Sequence, residues 1–137
     1  MLKPVTPGPS LVVCSTCRVS CEARTDHDGQ RGGALLMDAL KEAIQGHPCA
    51  GKLDLQTIPC LFACTRFCTV HLRAPGKVGY VLGDFSADPQ EAKALLDYAG
   101  HYIDSAEGVV PYSNWPDGVK GHFIVRTPPE GFTMEPG

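Results

Sequence analysis

Seven cysteines are the residues of this 137-residue chain whose type and spacing point most clearly to chemistry. Six of them form two groups, which are Cys14, Cys17 and Cys21, and Cys60, Cys64 and Cys68. An odd number of cysteines cannot all pair within one chain, and clustered thiols are typical ligands of zinc and of iron–sulfur clusters. The two groups therefore predict a thiolate metal site. Cys49 stands apart from both, and we expect it to be a small buried core residue.

The spacing within the two groups matches no standard zinc or ferredoxin motif. Cys14 and Cys17 form a C-x2-C pair, but the second group has the spacing C-x3-C-x3-C, whereas a zinc ribbon needs two C-x2-C pairs. The four-cysteine run of a two-cluster bacterial ferredoxin is absent, and the five histidines are too scattered for a Rieske site. The residues by themselves leave the identity of the metal open.

Apolar periodicity predicts an α/β fold in which these cysteines follow strands. The predicted elements are a strand at 10–14, a helix at 34–45, a strand at 53–57, hairpin strands at 69–73 and 77–82, and a helix that begins after Asp88, with 123–125 as one more candidate strand. This order is that of a thioredoxin-like fold. It predicts a mixed four-stranded sheet, built as a βαβ unit followed by a β-hairpin and a helix, with helices flanking both of its faces.

The position of the cysteines in this fold brings the two groups together. One group follows the first strand, the other follows the second strand, and a βαβ unit makes these strands parallel. Loops that leave parallel neighbouring strands emerge at the same edge of the sheet, where strands lie about 4.8 Å apart. The topology therefore predicts that the two cysteine groups meet in space.

Composition and charge exclude several other classes of protein. Twelve basic and fifteen acidic residues give a net charge of −3, so the chain has no basic excess with which to bind nucleic acid. The longest nearly apolar stretch, 58–64, is far shorter than the roughly 20 residues of a membrane span. Three prolines interrupt the N-terminus, which predicts a flexible lead-in over 1–9 and a cytoplasmic protein without a secretory signal. We expect one domain over 10–130, followed by a flexible tail over 131–137.

Several segments carry a resemblance to known families. Residues 60–64, followed by 70–72 and 76–80, resemble the thioredoxin-like [2Fe–2S] ferredoxins, in which a C-x3-C pair precedes a hairpin with a Pro-Gly turn. Segments 13–18, 60–70, 102–108 and 125–129 are similar to a bacterial family described as predicted metal-binding proteins, DUF1636. This second resemblance covers residues 10–130.

The resemblance implies a [2Fe–2S] cluster held by Cys14, Cys17, Cys60 and Cys64, in a protein that carries single electrons and is not an enzyme. In the ferredoxins the second ligand follows the first after a longer spacer, where this chain has no cysteine. The fourth ligand therefore stays open, with Cys68 as the first reserve and Cys21 as the second. Because a strand pattern begins at Thr69, the side chain of Cys68 is expected to point away from the site.

Two other functions stay open at this point. The same thiolates can bind zinc or cobalt in a metal-handling protein, and the resemblance adds a link to cobalamin-pathway proteins. A thiol–disulfide oxidoreductase using Cys14 and Cys17 is less favoured, because the predicted helix begins too far along the chain to activate Cys17. The expected partners are a redox protein, cobalamin-pathway proteins or a second copy of the chain in a homodimer.

Overall fold

The computed structural model describes residues 2–18, 23–63 and 65–136. Two of the predicted metal ligands or reserves, Cys21 and Cys64, lie outside these residues. The elements are β1 (Ser10–Cys14), α1 (Gly32–Ile44), β2 (Asp54–Ile58), β3 (Val70–Arg73), β4 (Gly79–Leu82), α2 (Pro89–Asp104) and β5 (Phe123–Thr127). Two short 3-10 turns, Tyr112–Asn114 and Asp117–Val119, connect α2 to β5.

The strands form one mixed sheet in the order β2-β1-β3-β4-β5. β1 and β2 are parallel, with Cys14 opposite Ile58, and the other neighbouring strands are antiparallel. The predicted thioredoxin-like α/β class is confirmed, but the sheet has five strands and not four. The extra strand is β5, which contains the candidate run at 123–125 and pairs with β4 through a register shift at Val81 and Leu82.

Both helices pack on the same face of the sheet. Helix α1 buries Leu36 and Leu40, α2 buries Leu95 and Leu96, and the two helices contact each other directly. The expectation of helices on both faces is therefore wrong, because two helices in contact cannot lie on opposite sides of one sheet. The described residues contain no helix that is both long enough and apolar enough to cross a bilayer.

The N-terminus of α2 follows the sequence signal closely. The carboxylate of Asp88 accepts a hydrogen bond from the backbone N–H of Gln90 at 2.7 Å, and Pro89 occupies the first helical position. Helix α1 has no such cap, since the side chain of Arg31 makes no capping hydrogen bond and the first turn holds no acidic residue. Its N-terminal N–H groups and partial positive charge are therefore not neutralised by the side chain of Arg31 or by an acidic residue of the first turn.

An aromatic cluster fills the core between α2 and strands β4 and β5. Tyr80 makes edge-to-face contacts with Tyr98, Tyr102 and Phe123 at centroid distances of 5.5–6.2 Å. The hydroxyl of Tyr102 donates to the carbonyl of Val78 at 2.6 Å. The hydroxyl of Tyr98 is buried without a well-formed hydrogen bond to any described residue. Burial raises the pKa of both phenols, so both are neutral donors.

These two tyrosines should respond in opposite ways to the loss of the hydroxyl group. We expect Tyr102→Phe to lower the free energy of unfolding by about 1–2 kcal/mol, because it leaves the buried Val78 carbonyl without its donor. The matched change Tyr98→Phe removes a buried hydroxyl that has no well-formed hydrogen bond to a described residue, and it should be neutral or stabilising. Urea unfolding of both variants measures the difference. Equal losses in the two would contradict these assignments.

Candidate metal centre

The structure places four of the six grouped cysteines at one edge of the sheet. Cys14 is the last residue of β1, Cys17 lies in the loop that follows, Cys60 follows β2, and Cys68 lies just before β3. Cys14, Cys17 and Cys68 are buried, whereas Cys60 is partly exposed. The prediction that the two groups leave the same edge of a parallel strand pair is therefore confirmed for the cysteines that the structure describes.

Hydrogen bonds to backbone carbonyls join the two cysteine loops beside Cys14 and Cys60. The N–H of Ser15 donates to the carbonyl of Ile58 at 2.9 Å, and the hydroxyl of Thr16 donates to the carbonyl of Pro59 at 2.5 Å. The sulfur of Cys14 lies 3.9 Å from the same Pro59 carbonyl oxygen. Cys60 Sγ accepts a hydrogen bond from the N–H of Phe62 at 3.2 Å. The first loop is thus fixed against the segment that carries Cys60.

Cys17 and Cys68 form a second contact, deeper in the protein. Cys68 Sγ donates to the carbonyl of Arg18, in the first cysteine loop, at 3.6 Å, and its thiol influences the pKa of Cys17. Cys17 Sγ lies 3.4 Å from both the N–H and the hydroxyl oxygen of Thr69. The expectation that Cys68 points away from the site is wrong, because its side chain faces the first cysteine loop. The peptide bond between Phe67 and Cys68 is cis.

The environment favours the thiolate form more strongly at Cys17 than at Cys14 or Cys68. The hydrogen bond from Cys68, together with the hydroxyl and N–H of Thr69, lowers the pKa of Cys17 to about 5. The same hydrogen bond, together with burial, raises the pKa of Cys68. Burial and the nearby Cys17 raise the pKa of Cys14, although the backbone N–H groups of Leu61 and Thr16 oppose this shift. Hydrogen-bond donors thus stabilise negative charge at Cys17, whereas burial disfavours it at Cys14 and Cys68.

The N-terminus of α1 lies directly against these cysteines. The N–H of Gly33 donates to the carbonyl of Cys17 at 3.3 Å. A Cβ atom on Gly32 would lie 2.8 Å from Cys68 Sγ and would overlap the carbonyl of Arg18, and one on Gly33 would overlap the carbonyl of Cys14. The two glycines therefore permit a close approach that no other residue allows.

This approach corrects one sequence-based argument. We expected α1 to begin too far along the chain to act on Cys17, but the structure places the helix N-terminus directly against the site. The positive end of the helix macrodipole is consequently available to negative charge on the sulfurs. The paired glycines at the predicted helix start were the sequence signal for this contact, whereas the role of Thr69 left no signal in the sequence.

Phe62 is exposed and Arg66 is partly exposed, and these two residues of the second cysteine loop form what we term the rim of the site. The side chain of Phe62, between Cys60 and Cys64, is 94% exposed, and its backbone has a left-handed φ of 57°. Arg66 forms an ion pair with Asp84 at 2.6 Å, and the N–H of Asp84 donates to the carbonyl of Arg66 at 3.1 Å. These bonds connect the second cysteine loop to the residues that follow β4. Arg66 is thus held by Asp84, while the ring of Phe62 faces solvent.

Two other groups are separate from this centre. Cys49 is 2% exposed and donates to the carbonyl of Leu96 at 3.2 Å, which agrees with the prediction of a core residue. Asp26, His27 and Asp28 are the one set within the described ranges that brings three potential ligand atoms within 4.8 Å of one another. One carboxylate oxygen of Asp26 accepts the N–H groups of Asp28 and Gln30, so the set is explained as a surface turn.

The donor chemistry of the edge fits a thiolate-bound metal group. The described ligand candidates are all sulfur, three of them are buried, and backbone N–H groups donate to the sulfurs of Cys17 and Cys60. Sulfur ligands with N–H donors around them suit iron–sulfur clusters as well as zinc. The residues present therefore fit such a group, and the choice between the two metals depends on more than the donor type.

Comparison with solved structures and protein families identifies the fold of the chain and then its family. The chain has the fold of a thioredoxin-like [2Fe–2S] ferredoxin from Aquifex aeolicus, with a TM-score of 0.54 and 18% identity, over 93% of this chain and 100% of that one. The 1.5 Å structure of the wild-type Aquifex aeolicus ferredoxin gives a TM-score of 0.49 at 18% identity, over 80% of this chain and 96% of that one. The family model described as "Protein of unknown function (DUF1636)" matches residues 11–129, and the chain belongs to this family. Comparison with curated protein sequences gives no significant match.

Proposed function

We propose that this protein binds a [2Fe–2S] cluster at the cysteine edge and acts as a one-electron carrier. The proposed ligands are Cys14, Cys17, Cys60 and Cys64, with Cys68 and then Cys21 as the alternatives for the fourth position. The observation that carries the proposal is the position of Cys14, Cys17, Cys60 and Cys68, from two loops that are distant in sequence, at one edge of the sheet of a thioredoxin-like fold. When bound, the cluster supplies a one-electron couple between its oxidised and reduced forms.

Residues of the chain would favour reduction of the cluster by stabilising negative charge on it. Two ferric ions, two sulfides and four thiolates carry a net charge of −2, and reduction adds one more negative charge. The N–H groups of Phe62 and Thr69 are directed at the sulfurs of Cys60 and Cys17. Hydrogen bonds to ligand sulfur favour the reduced form, and the uncapped N-terminus of α1 adds positive potential at the same place.

The rim supports contact with a redox partner protein. Phe62 exposes its ring beside Cys60, while Cys14 and Cys17 are covered. Aromatic side chains and arginines are enriched at protein interfaces, and Arg66 lies on the same rim. An electron donor or acceptor would therefore approach over Phe62. A cytoplasmic location is a further part of the proposal, and so is a link to cobalamin-pathway proteins, which the resemblance implies.

Metal analysis distinguishes this function from metal handling through the same thiolates. Protein purified without air should contain close to two iron atoms and two acid-labile sulfides per chain, with little zinc or cobalt. One zinc per chain without sulfide would overturn the cluster and support the metal-handling alternative. A metal-free protein with a rapidly forming disulfide between Cys14 and Cys17 would instead support thiol–disulfide exchange.

A further inference from the structure

We infer that Thr69 is a positioning residue that fixes Cys17 as a cluster ligand and raises the reduction potential through its hydroxyl group. This inference rests on the proposed function. Thr69 lies between Cys68 and β3 and is 0% exposed. Its role would be to act on the iron through the sulfur of Cys17 without touching the metal itself.

Thr69 contacts both cysteines of the C-x2-C pair. Its N–H donates to Cys17 Sγ at 3.4 Å, and its hydroxyl oxygen lies 3.4 Å from the same sulfur. Its carbonyl accepts the N–H of Cys14 at 3.1 Å. One residue of the second cysteine loop therefore holds the backbone of Cys14 and the sulfur of Cys17 at once, which connects the two halves of the site.

The hydroxyl group of Thr69 is fully buried, which is unusual for a polar group. Among the residues that the structure describes, Thr69 and Ser10 are the buried polar or charged side chains. A buried hydroxyl is costly unless it is hydrogen-bonded, and the partner that the structure provides for Thr69 is Cys17 Sγ. Valine has nearly the same shape without the hydroxyl, so packing alone does not account for threonine here.

Ligation determines the direction of this hydrogen bond. In the free thiol either atom can be the donor, but a sulfur bound to iron has lost its proton and can only accept. The hydroxyl of Thr69 must then donate to Cys17 Sγ. Because the sulfur becomes more negative on reduction, this hydrogen bond strengthens in the reduced state and raises the reduction potential.

A potentiometric titration of Thr69→Val, Thr69→Ser and wild-type protein tests the inference. We expect Thr69→Val to lower the equilibrium constant for reduction about threefold to tenfold, where tenfold corresponds to about 59 mV for a one-electron couple. Thr69→Ser keeps the hydroxyl and should stay close to wild type. Thr57→Val is the matched control, since Thr57 is exposed on β2 and makes the same chemical change outside the site.

The outcomes separate this inference from the proposed function. If the wild-type protein assembles no cluster, the proposed function fails. If it assembles one but Thr69→Val differs from Thr57→Val by less than twofold, the inference alone fails. Should Thr69→Val not assemble a cluster, Thr69→Ala is compared with Thr69→Ser. Cluster assembly in the serine variant but not in the alanine variant supports the role of the hydroxyl group. If both variants assemble the cluster, a lower reduction potential in the alanine variant alone also supports it. Equal behaviour of these two variants contradicts it.

Discussion

Replacing Cys60 with serine should abolish the cluster, with iron and sulfide falling to background in protein purified without air. A serine oxygen is a harder and weaker ligand for iron in such a site, and Cys60 Sγ is held in place by the N–H of Phe62. Cys60 is also partly exposed, so the change should not destabilise the core. The loss should appear as bleaching of the visible charge-transfer bands, while the circular dichroism of the protein stays near that of wild type.

Cys49→Ser is the matched control for this prediction. Cys49 is more deeply buried than Cys60, but its sulfur contacts the carbonyl of Leu96 between the helices and not the other cysteines. The serine hydroxyl can replace that weak donor, and we expect full iron and sulfide content. Retention of the cluster in Cys60→Ser together with its loss in Cys49→Ser would contradict the placement of the site.

Serine variants at the three remaining candidates identify the fourth ligand in the same series. Cys17 is the proposed fourth ligand, so Cys17→Ser should alter or abolish the paramagnetic resonance signal of the reduced protein. Cys68→Ser and Cys21→Ser should leave the signal nearly unchanged. Because the side chain of Cys68 faces the first cysteine loop, a silent Cys17→Ser with a cluster-free Cys68→Ser would assign the ligand to Cys68.

Gly33→Ala should have the largest effect on stability among substitutions that leave every cysteine in place. The added Cβ would overlap the carbonyl of Cys14, which is backbone at the end of β1 and cannot move without disturbing the sheet. Overpacking of this kind costs about 3 kcal/mol or more. We expect the free energy of unfolding of the cluster-free protein to fall by about that amount, as measured in urea, and cluster assembly to fail as α1 moves away.

Gly100→Ala provides the control for helix propensity. Gly100 lies within α2, where a Cβ would meet only Cys49 Sγ at 3.4 Å, an ordinary contact distance. Alanine should be neutral or stabilising there by up to about 1 kcal/mol, because glycine is a poor helix former. Similar stability changes in the two variants would show that α1 does not depend on a close approach to the cysteine loop.

Much of the fold could be predicted from the sequence because its signals are local. Alternation and β-branched residues located β1, the Asp88-Pro89 pair located the start of α2, and parallel pairing of β1 with β2 followed from the βαβ order. The fifth strand could not be established in this way. The run at 123–125 becomes a strand through its pairing with β4, and that pairing depends on residues distant in sequence.

The candidate site also has features that the sequence predicts and features that it does not. The convergence of the two cysteine groups follows from topology alone, and the structure places Cys14, Cys17, Cys60 and Cys68 at one edge. The orientation of Cys68, the approach of α1 and the contact of Thr69 with Cys17 are contacts between residues that are distant in sequence. Long polar loops lack periodicity, so no pattern in the sequence specifies these contacts.

Paramagnetic resonance of the dithionite-reduced protein tests the central claim most directly. Transfer of one electron to a [2Fe–2S] cluster leaves one unpaired electron for each cluster. We predict a rhombic or axial signal that integrates to close to one spin per chain, in a sample that is red-brown before reduction and bleaches on reduction. A colourless protein that contains zinc and gives no signal after reduction would contradict the account.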